Sequence, residues 1–216
     1  MNQTLYASVL HLDRNAVKHL KITDPYSLHR VVYSLFTDVR SDEDKKQGQS
    51  SGILYADQGG DFKERHVLLL SARLPVSRVE GRYGRVETRE IPGDFLNGDL
   101  YRFKTVVNPC YRENASRKLV PVKGRQQIAS WFRDRAMTSW GFEVSRKTLQ
   151  VDTIEVLRFT GKNSQRITLA RATLQGVLQV RDRALFINSF CRGIGRGKAF
   201  GCGLLQIVPQ TFSPFA

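Results

Sequence analysis

Residues 4–39 read TLYASVLHLDRNAVKHLKITDPYSLHRVVYSLFTDV, and this stretch decides how the fold begins. Its first part, residues 4–12, is mostly apolar and predicts a strand. Asp24 followed by Pro25 is a typical helix start, because aspartate caps a helix and proline fits the first helical position. Over 25–38 the apolar residues at helical spacing are Leu28, Val31, Val32, Leu35 and Phe36. We therefore predict a strand followed by a helix with one buried face.

Working outward, the same alternation of strand and helix continues along the chain. The apolar run from His66 to Ala72 predicts a buried strand, Leu100 to Val107 predicts another, and Gly124 to Trp140 fits a helix. Weaker signals are an edge strand near 53–55 inside the polar stretch 41–60, a helix or loop around Val76 and Val79, strands around 142–159 and 167–180, a short helix at 185–191, and a last strand at 204–208.

Each half of the chain thus follows a β-α-β-β-α-β pattern, which is typical of ferredoxin-like domains. The sequence Ile91-Pro92-Gly93-Asp94 is a plausible boundary between the halves. We predict an α+β fold of two tandem ferredoxin-like (RRM-like) domains, residues 1–92 and 93–216.

Composition indicates the kind of partner. The chain has 216 residues and a formal net charge of +14, and its cations are 23 Arg and 11 Lys. Such an excess attracts polyanions, and the planar donors of arginine suit nucleic acids. No run approaches the ~18 apolar residues of a membrane helix, and the N-terminus does not resemble a signal peptide. We expect a cytoplasmic protein with a nucleic-acid partner and no membrane partner.

Metal and cofactor chemistry is disfavoured by the sequence. The four histidines and three cysteines match no zinc or redox spacing. The acidic run Asp42, Glu43 and Asp44 lies in a polar stretch, where a solvated loop is the simpler explanation. The glycine-rich segment 193–203 fits neither a Walker loop nor a dinucleotide fingerprint. We expect no cofactor and no metal.

The helix at 25–38 offers a group suited to RNA cleavage without a metal. Tyr26, His29, Arg30 and Tyr33 fall together beside its apolar stripe. An imidazole with an ordinary pKa near 6.5 can exchange a proton at neutral pH, and cationic or phenolic donors stabilise phosphorane-like charge. The simpler alternative is a surface histidine on an ordinary amphipathic helix.

Several further residues suit contacts with RNA. The segment 193–203 (GIGRGKAFGCG) combines five glycines with Arg196 and Lys198, so it is either a phosphate-binding loop or a tight turn. The other basic stretches are either solvated faces or binding sites. Among them Arg158, Lys162 and Arg166 are candidates, from their charge, for contacts with the groove and backbone of an RNA stem. Tyr101 and Phe103 lie on one strand face, as base-stacking aromatics do, with core packing as the alternative.

Four ordered blocks of sequence resemble the CasE family, the CRISPR-associated endoribonucleases of type I-E systems. The first is Tyr26-Ser-Leu-His29-Arg30 with the Val-Val-Tyr-Ser-Leu-Phe36 that follows. The others are His66 to Ser77 (HVLLLSARLPVS), Leu100-Tyr-Arg-Phe with Asn108-Pro109 after it, and Gly193 to Leu205, which resembles the family's C-terminal glycine-rich signature. The blocks span nearly the whole chain.

The resemblance implies two tandem ferredoxin-like domains and cleavage of the CRISPR precursor transcript at the 3′ base of each repeat hairpin. It further implies a metal-free reaction that leaves a 2′,3′-cyclic phosphate, and retention of the product as a subunit of the Cascade complex. The family's catalytic histidine and tyrosine correspond to His29 and Tyr26, with the acid and base roles unassigned. Arg30 as a phosphate contact is our own expectation.

Two other functions stay open at this stage. The first is a non-catalytic ferredoxin-like RNA-binding subunit of a CRISPR ribonucleoprotein, in which His29 is idle. The second is a general RNA-binding or ribosome-associated protein, which would explain the charge and little else.

Overall fold

The structure is a computed structural model that describes residues 4–39, 41, 43 and 51–210. The contacts between residues divide the chain into two compact units. One comprises Met1–Pro92 together with Ala199–Gly201, and the other comprises Gly93–Lys198 together with Cys202–Ala216. Three residues of the glycine-rich segment therefore belong to the N-terminal unit.

The N-terminal unit contains a four-stranded antiparallel sheet with the order β2-β3-β1-β4. This is the strand order of a ferredoxin-like domain, and β2 is an edge strand as predicted. The elements in chain order are β1 (Tyr6–Asp13), α1 (Arg14–His19), α2 (Pro25–Ser34), β2 (Ile53–Gly60), β3 (Glu64–Ser71) and β4 (Arg85–Glu90).

Helix α2 begins where the sequence predicted and ends earlier. The Asp24 side chain accepts a hydrogen bond from the backbone N–H of Ser27 (2.7 Å), and the Ser27 hydroxyl accepts from the N–H of Asp24 (2.9 Å). This reciprocal capping box fixes the first turn. The helix ends at Ser34 and not at residue 38, because the N–H groups of Leu35 and Phe36 turn to the carbonyls of Val32 and Tyr33.

The apolar stripe of α2 packs on one face of the sheet. Leu28, Val31 and Val32 are buried in the same cluster as Leu10 and Leu12 of β1, together with Tyr55, Val67 and Leu69. Alternate residues of β1 and β3, including His11 and His66, lie on the opposite face. The sheet therefore has one face under α2 and another face with its own polar side chains.

No helix lies between β3 and β4, a segment the structure describes in full. Residues 72–84 form turns, with an isolated bridge between Val79 and Tyr83. Pro75 and two glycines at positive φ, Gly81 and Gly84, disfavour a helix here. Val79 nevertheless fills the core, with 1% of its surface exposed.

The C-terminal unit repeats the ferredoxin-like strand order and adds two hairpins. Its main sheet runs β11-β5-β10-β8, and β9 also pairs with β10. The elements are β5 (Leu100–Val107), β6 (Cys110–Arg112), β7 (Leu119–Pro121), α3 (Arg125–Arg135) continuing as a π-helical turn (Ala136–Trp140), β8 (Phe142–Val144), β9 (Gln150–Thr160), β10 (Arg166–Val180), α4 (Arg183–Arg192) and β11 (Gln206–Pro209).

The burial of the two aromatic residues on β5 decides between base stacking and core packing. Tyr101 and Phe103 are 0% and 1% exposed, and the Phe103 ring stacks on Phe132 of α3 at 5.5 Å between centroids. Both side chains belong to the core, so neither is available to stack on RNA bases. Among the residues the structure describes, no helix is both long and apolar enough to cross a membrane.

Candidate active site on helix α2

His29 is surrounded by aromatic rings in the N-terminal unit. Its ring centroid lies 4.1 Å from that of Tyr33, 6.1 Å from that of Tyr26, and 6.1 Å from that of Phe200. The Tyr26 ring is nearly parallel to the imidazole, with an angle of 20° between the planes. We call Tyr26, His29, Tyr33 and Phe200 the His29 aromatic cluster.

Helical periodicity brings three members of this cluster together. Residues three and four apart lie on the same side of a helix, so Tyr26, His29 and Tyr33 are successive neighbours on α2. All three are half-buried, because they lie at the border between the core stripe and the exposed side. Arg30 is exposed, and its guanidinium lies 5.8 Å from the centroid of the Tyr26 ring. The structure thus brings these four residues together, as the sequence predicted.

The fourth ring comes from the glycine-rich segment. The Tyr55 hydroxyl donates a hydrogen bond to the carbonyl of Ala199 (2.8 Å), which ties residues Ala199–Gly201 to β2. Gly201 has φ +78°, and a Cβ there would lie 3.2 Å from the Tyr55 ring. A side chain at 201 would be strained by that φ and crowded by the ring. Tyr55 and Gly201 therefore hold Phe200 beside His29.

Phe200 was missed by reasoning from sequence. It is separated from His29 by most of the chain. The glycines and cations of segment 193–203 predicted phosphate contacts, and the aromatic residue had no part in that prediction. The available signal was the aromatic residue itself, the only one among the eleven residues 193–203.

Tyr33 has a defined hydrogen bond. Its phenolic oxygen accepts from the hydroxyl of Ser51 at 2.9 Å, just before β2 begins. This hydrogen bond to Ser51 holds the Tyr33 side chain in place, so its ring stays in contact with His29. Tyr26 and Tyr33 differ in this respect, because no such bond to the Tyr26 hydroxyl is seen among the described residues.

The chemistry of the cluster is acid–base chemistry. An imidazole can accept a proton and return it near neutral pH, and a phenol can donate a hydrogen bond to developing negative charge. The flanking rings exclude water from part of the imidazole and restrict its orientation. Such a site can act on a substrate that carries its own nucleophile.

Thiol chemistry is not supported. Burial raises the pKa of Cys110 and of Cys191, and it raises the pKa of Cys202 to about 12. The thiolate is the nucleophilic form of cysteine, so a raised pKa keeps these three side chains in the less reactive thiol form at neutral pH.

Three predicted RNA contacts lie at one end of the β9–β10 hairpin. Arg158, Lys162 and Arg166 are all exposed. Register pairs Arg158 with Thr168 and Arg166 with Thr160, so both arginines lie on the same face of the hairpin. The other face carries Phe159, which is 9% exposed. The hairpin thus presents a basic face that packing does not cover.

The two cations of the glycine-rich segment, Arg196 and Lys198, differ in exposure and in hydrogen bonding. Arg196 is exposed. The Lys198 ammonium donates to the carbonyl of Arg192 at 2.7 Å, and this carbonyl belongs to the last residue of α4. Burial and the nearby Arg192 guanidinium lower the pKa of Lys198. Lys198 therefore caps a helix in this structure, whereas Arg196 has no such bond among the described contacts.

Metal-ligating side chains gather at one place outside the His29 aromatic cluster. Within the described residues, His11, Glu64 and His66 form a group whose ligand atoms lie within 4.8 Å of one another. The sequence spacing did not predict it. Of the acidic run at 42–44, Asp42 and Asp44 lie outside the described residues.

Comparison with known proteins gives consistent matches. The CasE subunit of the CRISPR Cascade system from Escherichia coli strain K12 is 21% identical over 209 residues, which cover 93% of this chain and 100% of that protein. The CRISPR-associated endoribonuclease Cse3 of Thermus thermophilus is 31% identical over 121 residues, which cover 52% of this chain and 57% of that protein.

A solved structure shares the fold. CRISPR endoribonuclease Cse3 bound to 19 nt RNA superimposes with a TM-score of 0.78 at 22% identity, covering 95% of this chain and 100% of that one. The family model described as CRISPR associated protein matches residues 5–209. The chain therefore belongs to this family of CRISPR-associated proteins, and the resemblance to CasE proteins is confirmed.

Proposed function

We propose that this protein is an endoribonuclease that binds CRISPR repeat hairpins and cuts the precursor transcript at the 3′ base of the stem. The 2′-hydroxyl of the RNA attacks the adjacent phosphate, which leaves a 2′,3′-cyclic phosphate and a 5′-hydroxyl. Tyr26 and His29 are the catalytic residues. The observation that carries the proposal is the His29 aromatic cluster, in a chain whose relatives are named as CRISPR endoribonucleases.

The reaction needs no metal, because RNA supplies the nucleophile. One proton leaves the 2′-hydroxyl and one reaches the departing 5′-oxygen, so a single imidazole and a phenol suffice for transfer and charge stabilisation. Tyr26 and His29 lie on neighbouring turns of α2 and their rings are nearly parallel. A phosphate placed above this face would contact both. Arg30, exposed beside Tyr26, would add a cation.

RNA binding is assigned to arginine and lysine side chains in both domains. The N-terminal domain, residues 1–92, carries the catalytic helix with Arg30, and the C-terminal domain, residues 93–216, supplies most of the hairpin contacts. Stems are bound through shape and backbone, so exposed cations on a β hairpin suit this role. The proposed contacts in the C-terminal domain are Arg158, Lys162, Arg166, Arg196 and Lys198. Lys198 would have to leave the Arg192 carbonyl, so we expect it to contribute least.

After cleavage the protein keeps the mature crRNA and joins the other subunits of a type I-E Cascade complex in the cytoplasm. The E. coli relative is named as a Cascade subunit. Tight product binding is consistent with a net charge of +14, since each phosphate neutralised releases a counterion. A single-turnover enzyme of this kind has no need to release its product.

The test is a single-turnover cleavage assay in EDTA on the repeat hairpin from the same genome. Wild type and His29→Ala are compared, and hairpin affinity is measured for each. We expect wild type to cut, His29→Ala to lose cutting, and affinity to stay within a few fold, because catalytic groups act mainly in the transition state.

Four results would contradict parts of the proposal. Loss of cutting in EDTA would refute the metal-free reaction. Binding without cutting by wild type would identify a non-catalytic RNA-binding subunit. Equal affinity for unrelated hairpins would identify a general RNA-binding protein. A His29→Ala variant that cannot bind would instead make His29 a structural residue.

A further inference from the structure

The carboxylate of Glu64 lies between two histidines in the N-terminal unit. One of its oxygens is 3.0 Å from Nδ1 of His11 and 2.9 Å from Nε2 of His66. The two imidazole rings are edge to face, with 5.0 Å between centroids. Three ligating groups thus converge on one point, which we call the His–Glu–His cluster (His11, Glu64 and His66).

The pairing of two strands builds this cluster. His11 of β1 is directly opposite His66 of β3 in the antiparallel register. Glu64 precedes His66 by two residues, so its side chain points to the same face of the sheet. Just before β3 begins, the Asp61 carboxylate accepts hydrogen bonds from the N–H groups of Lys63 (2.7 Å) and Glu64 (3.0 Å). The backbone that carries Glu64 is therefore fixed.

The ligand set matches a recurrent kind of metal site. Two imidazoles and one carboxylate bind borderline divalent ions such as Zn²⁺, Co²⁺ and Ni²⁺. Bonds of about 2.1 Å place neighbouring ligand atoms about 3.0–3.4 Å apart. The N···O distance of 3.0 Å equals the lower limit of that range and the distance of 2.9 Å is just below it, and all three ligand atoms lie within 4.8 Å of one another. Small side-chain rotations would open the space for an ion.

We propose that His11, Glu64 and His66 bind one divalent transition-metal ion of the Zn²⁺, Co²⁺ and Ni²⁺ class. The ion would link β1 to β3, with water in the remaining coordination positions. The side chains are 15% (His11), 35% (Glu64) and 42% (His66) exposed, so solvent and an ion can reach the cluster.

The outer nitrogen of His11 provides a second, independent observation. Nε2 of His11 is buried and makes no hydrogen bond to any part of the chain that the structure describes. An oxygen of Glu87 on β4 lies 3.8 Å away. Metal-binding histidines commonly donate their other N–H to a carboxylate, which orients the ring and raises its basicity. A small movement of Glu87 would complete that contact once Nδ1 binds metal.

This site is separate from the proposed cleavage site. His11 and His66 alternate along their strands with Leu10 and Val67, which are buried under α2. The His–Glu–His cluster therefore lies on the sheet face opposite α2 and His29. The ion would stabilise the N-terminal domain and take no part in RNA cleavage.

The experiment is a titration of the full chain, without an affinity tag, with Co²⁺ after removal of metals by chelation. It is performed above the ordinary imidazole pKa of about 6.5, where neutral nitrogens bind metal. We expect saturation at one ion per chain with visible d–d absorption bands. Zn²⁺ should then raise the thermal unfolding temperature, because the three ligands come together only in the folded state.

Two substitutions and a matched control test the ligands. Glu64→Gln keeps the shape of the side chain and His66→Gln removes one imidazole; each should lower Co²⁺ affinity by about tenfold or more. His19→Gln removes an imidazole at the end of α1, where Nδ1 is within 3.0 Å of the carbonyl of Asn15. That variant should bind like wild type.

The proposal fails if Co²⁺ does not saturate, or if Glu64→Gln and His66→Gln bind as tightly as His19→Gln. It also fails if Zn²⁺ raises the unfolding temperature of Glu64→Gln as much as that of wild type. Circular dichroism in EDTA shows that each variant is folded before it is compared. Cleavage in EDTA is measured in parallel, so the loss of one proposal leaves the other intact.

Discussion

Two histidine clusters occupy opposite faces of one small sheet and differ in what touches the imidazole. His29 on α2 contacts the rings of Tyr26, Tyr33 and Phe200, whereas His11 and His66 share the carboxylate of Glu64. Aromatic rings restrict the imidazole without imposing a charge, which suits proton transfer. A shared carboxylate supplies a fixed negative ligand, which suits an ion. The same residue type thus serves different chemistry according to its neighbours.

The largest expected effect comes from making the same substitution, histidine to glutamine, in each of the two clusters. His29→Gln should reduce the single-turnover cleavage rate in EDTA by about 10²–10⁴-fold, since acid–base groups contribute that much. His66→Gln should leave that rate unchanged and lose Co²⁺ affinity instead. Rates and metal titrations on both variants check this. A cleavage defect in His66→Gln equal to that of His29→Gln would abolish the distinction between the clusters.

Tyr26→Phe should come next in size. The ring remains against His29, and only the hydroxyl is removed, so orientation is retained while a donor to the reacting phosphate is lost. We expect the single-turnover rate to fall about 10- to 100-fold, with hairpin affinity unchanged. A rate equal to wild type would show that Tyr26 positions His29 and takes no direct part in the reaction.

The sequence predicted the first of these clusters because its residues share one helix. Three and four residues of separation fix which side chains meet, and a capping aspartate fixes where the helix begins. The predicted end of α2 at residue 38 was wrong, because the backbone already turns at Leu35 although apolar residues continue to Phe36. The aromatic residue Phe200 is visible in the sequence, but its place beside His29 could not be predicted, because it depends on a tertiary contact between Tyr55 and Ala199.

The second cluster was missed for a similar physical reason. His11 and His66 are 55 positions apart, and only the register of β1 against β3 places them opposite each other. Metal motifs read from sequence rely on local spacing on a helix or turn, and a cross-strand pair has none. Periodicity predicted most of the strands and helices of both halves, whereas cross-strand partners require the register.

Glu64→Gln measures how the second cluster behaves without an ion. Hydrogen bonds from both histidines lower the pKa of Glu64. An acid with a lowered pKa in the folded state stabilises the fold above its unfolded pKa and loses that contribution as the pH falls through the folded value. With EDTA present at neutral pH, we expect the free energy of unfolding to drop by about 1 kcal/mol, discounted for solvent exposure.

Urea unfolding of wild type and Glu64→Gln from neutral pH downward checks this. The difference in unfolding free energy should be full above the ordinary glutamate pKa of 4.5 and should shrink as the pH falls below it. A difference that stays constant down to the acid limit would mean that the substituted amide disturbs packing and that the carboxylate charge is irrelevant to stability.

Tyr33→Phe should have the smallest effect and is the matched control for Tyr26→Phe. Its hydroxyl accepts a hydrogen bond from Ser51, so it serves the fold, while its ring, 4.1 Å from the imidazole, supplies the contact with His29. Phenylalanine keeps that ring. We expect the cleavage rate to change by less than about threefold, because the Tyr33 hydroxyl does not stabilise charge in the transition state. Single-turnover assays on both variants rank the two hydroxyls. If Tyr33→Phe lost more activity than Tyr26→Phe, Tyr33 would take the catalytic phenol role and Tyr26 would become the ring that orients His29.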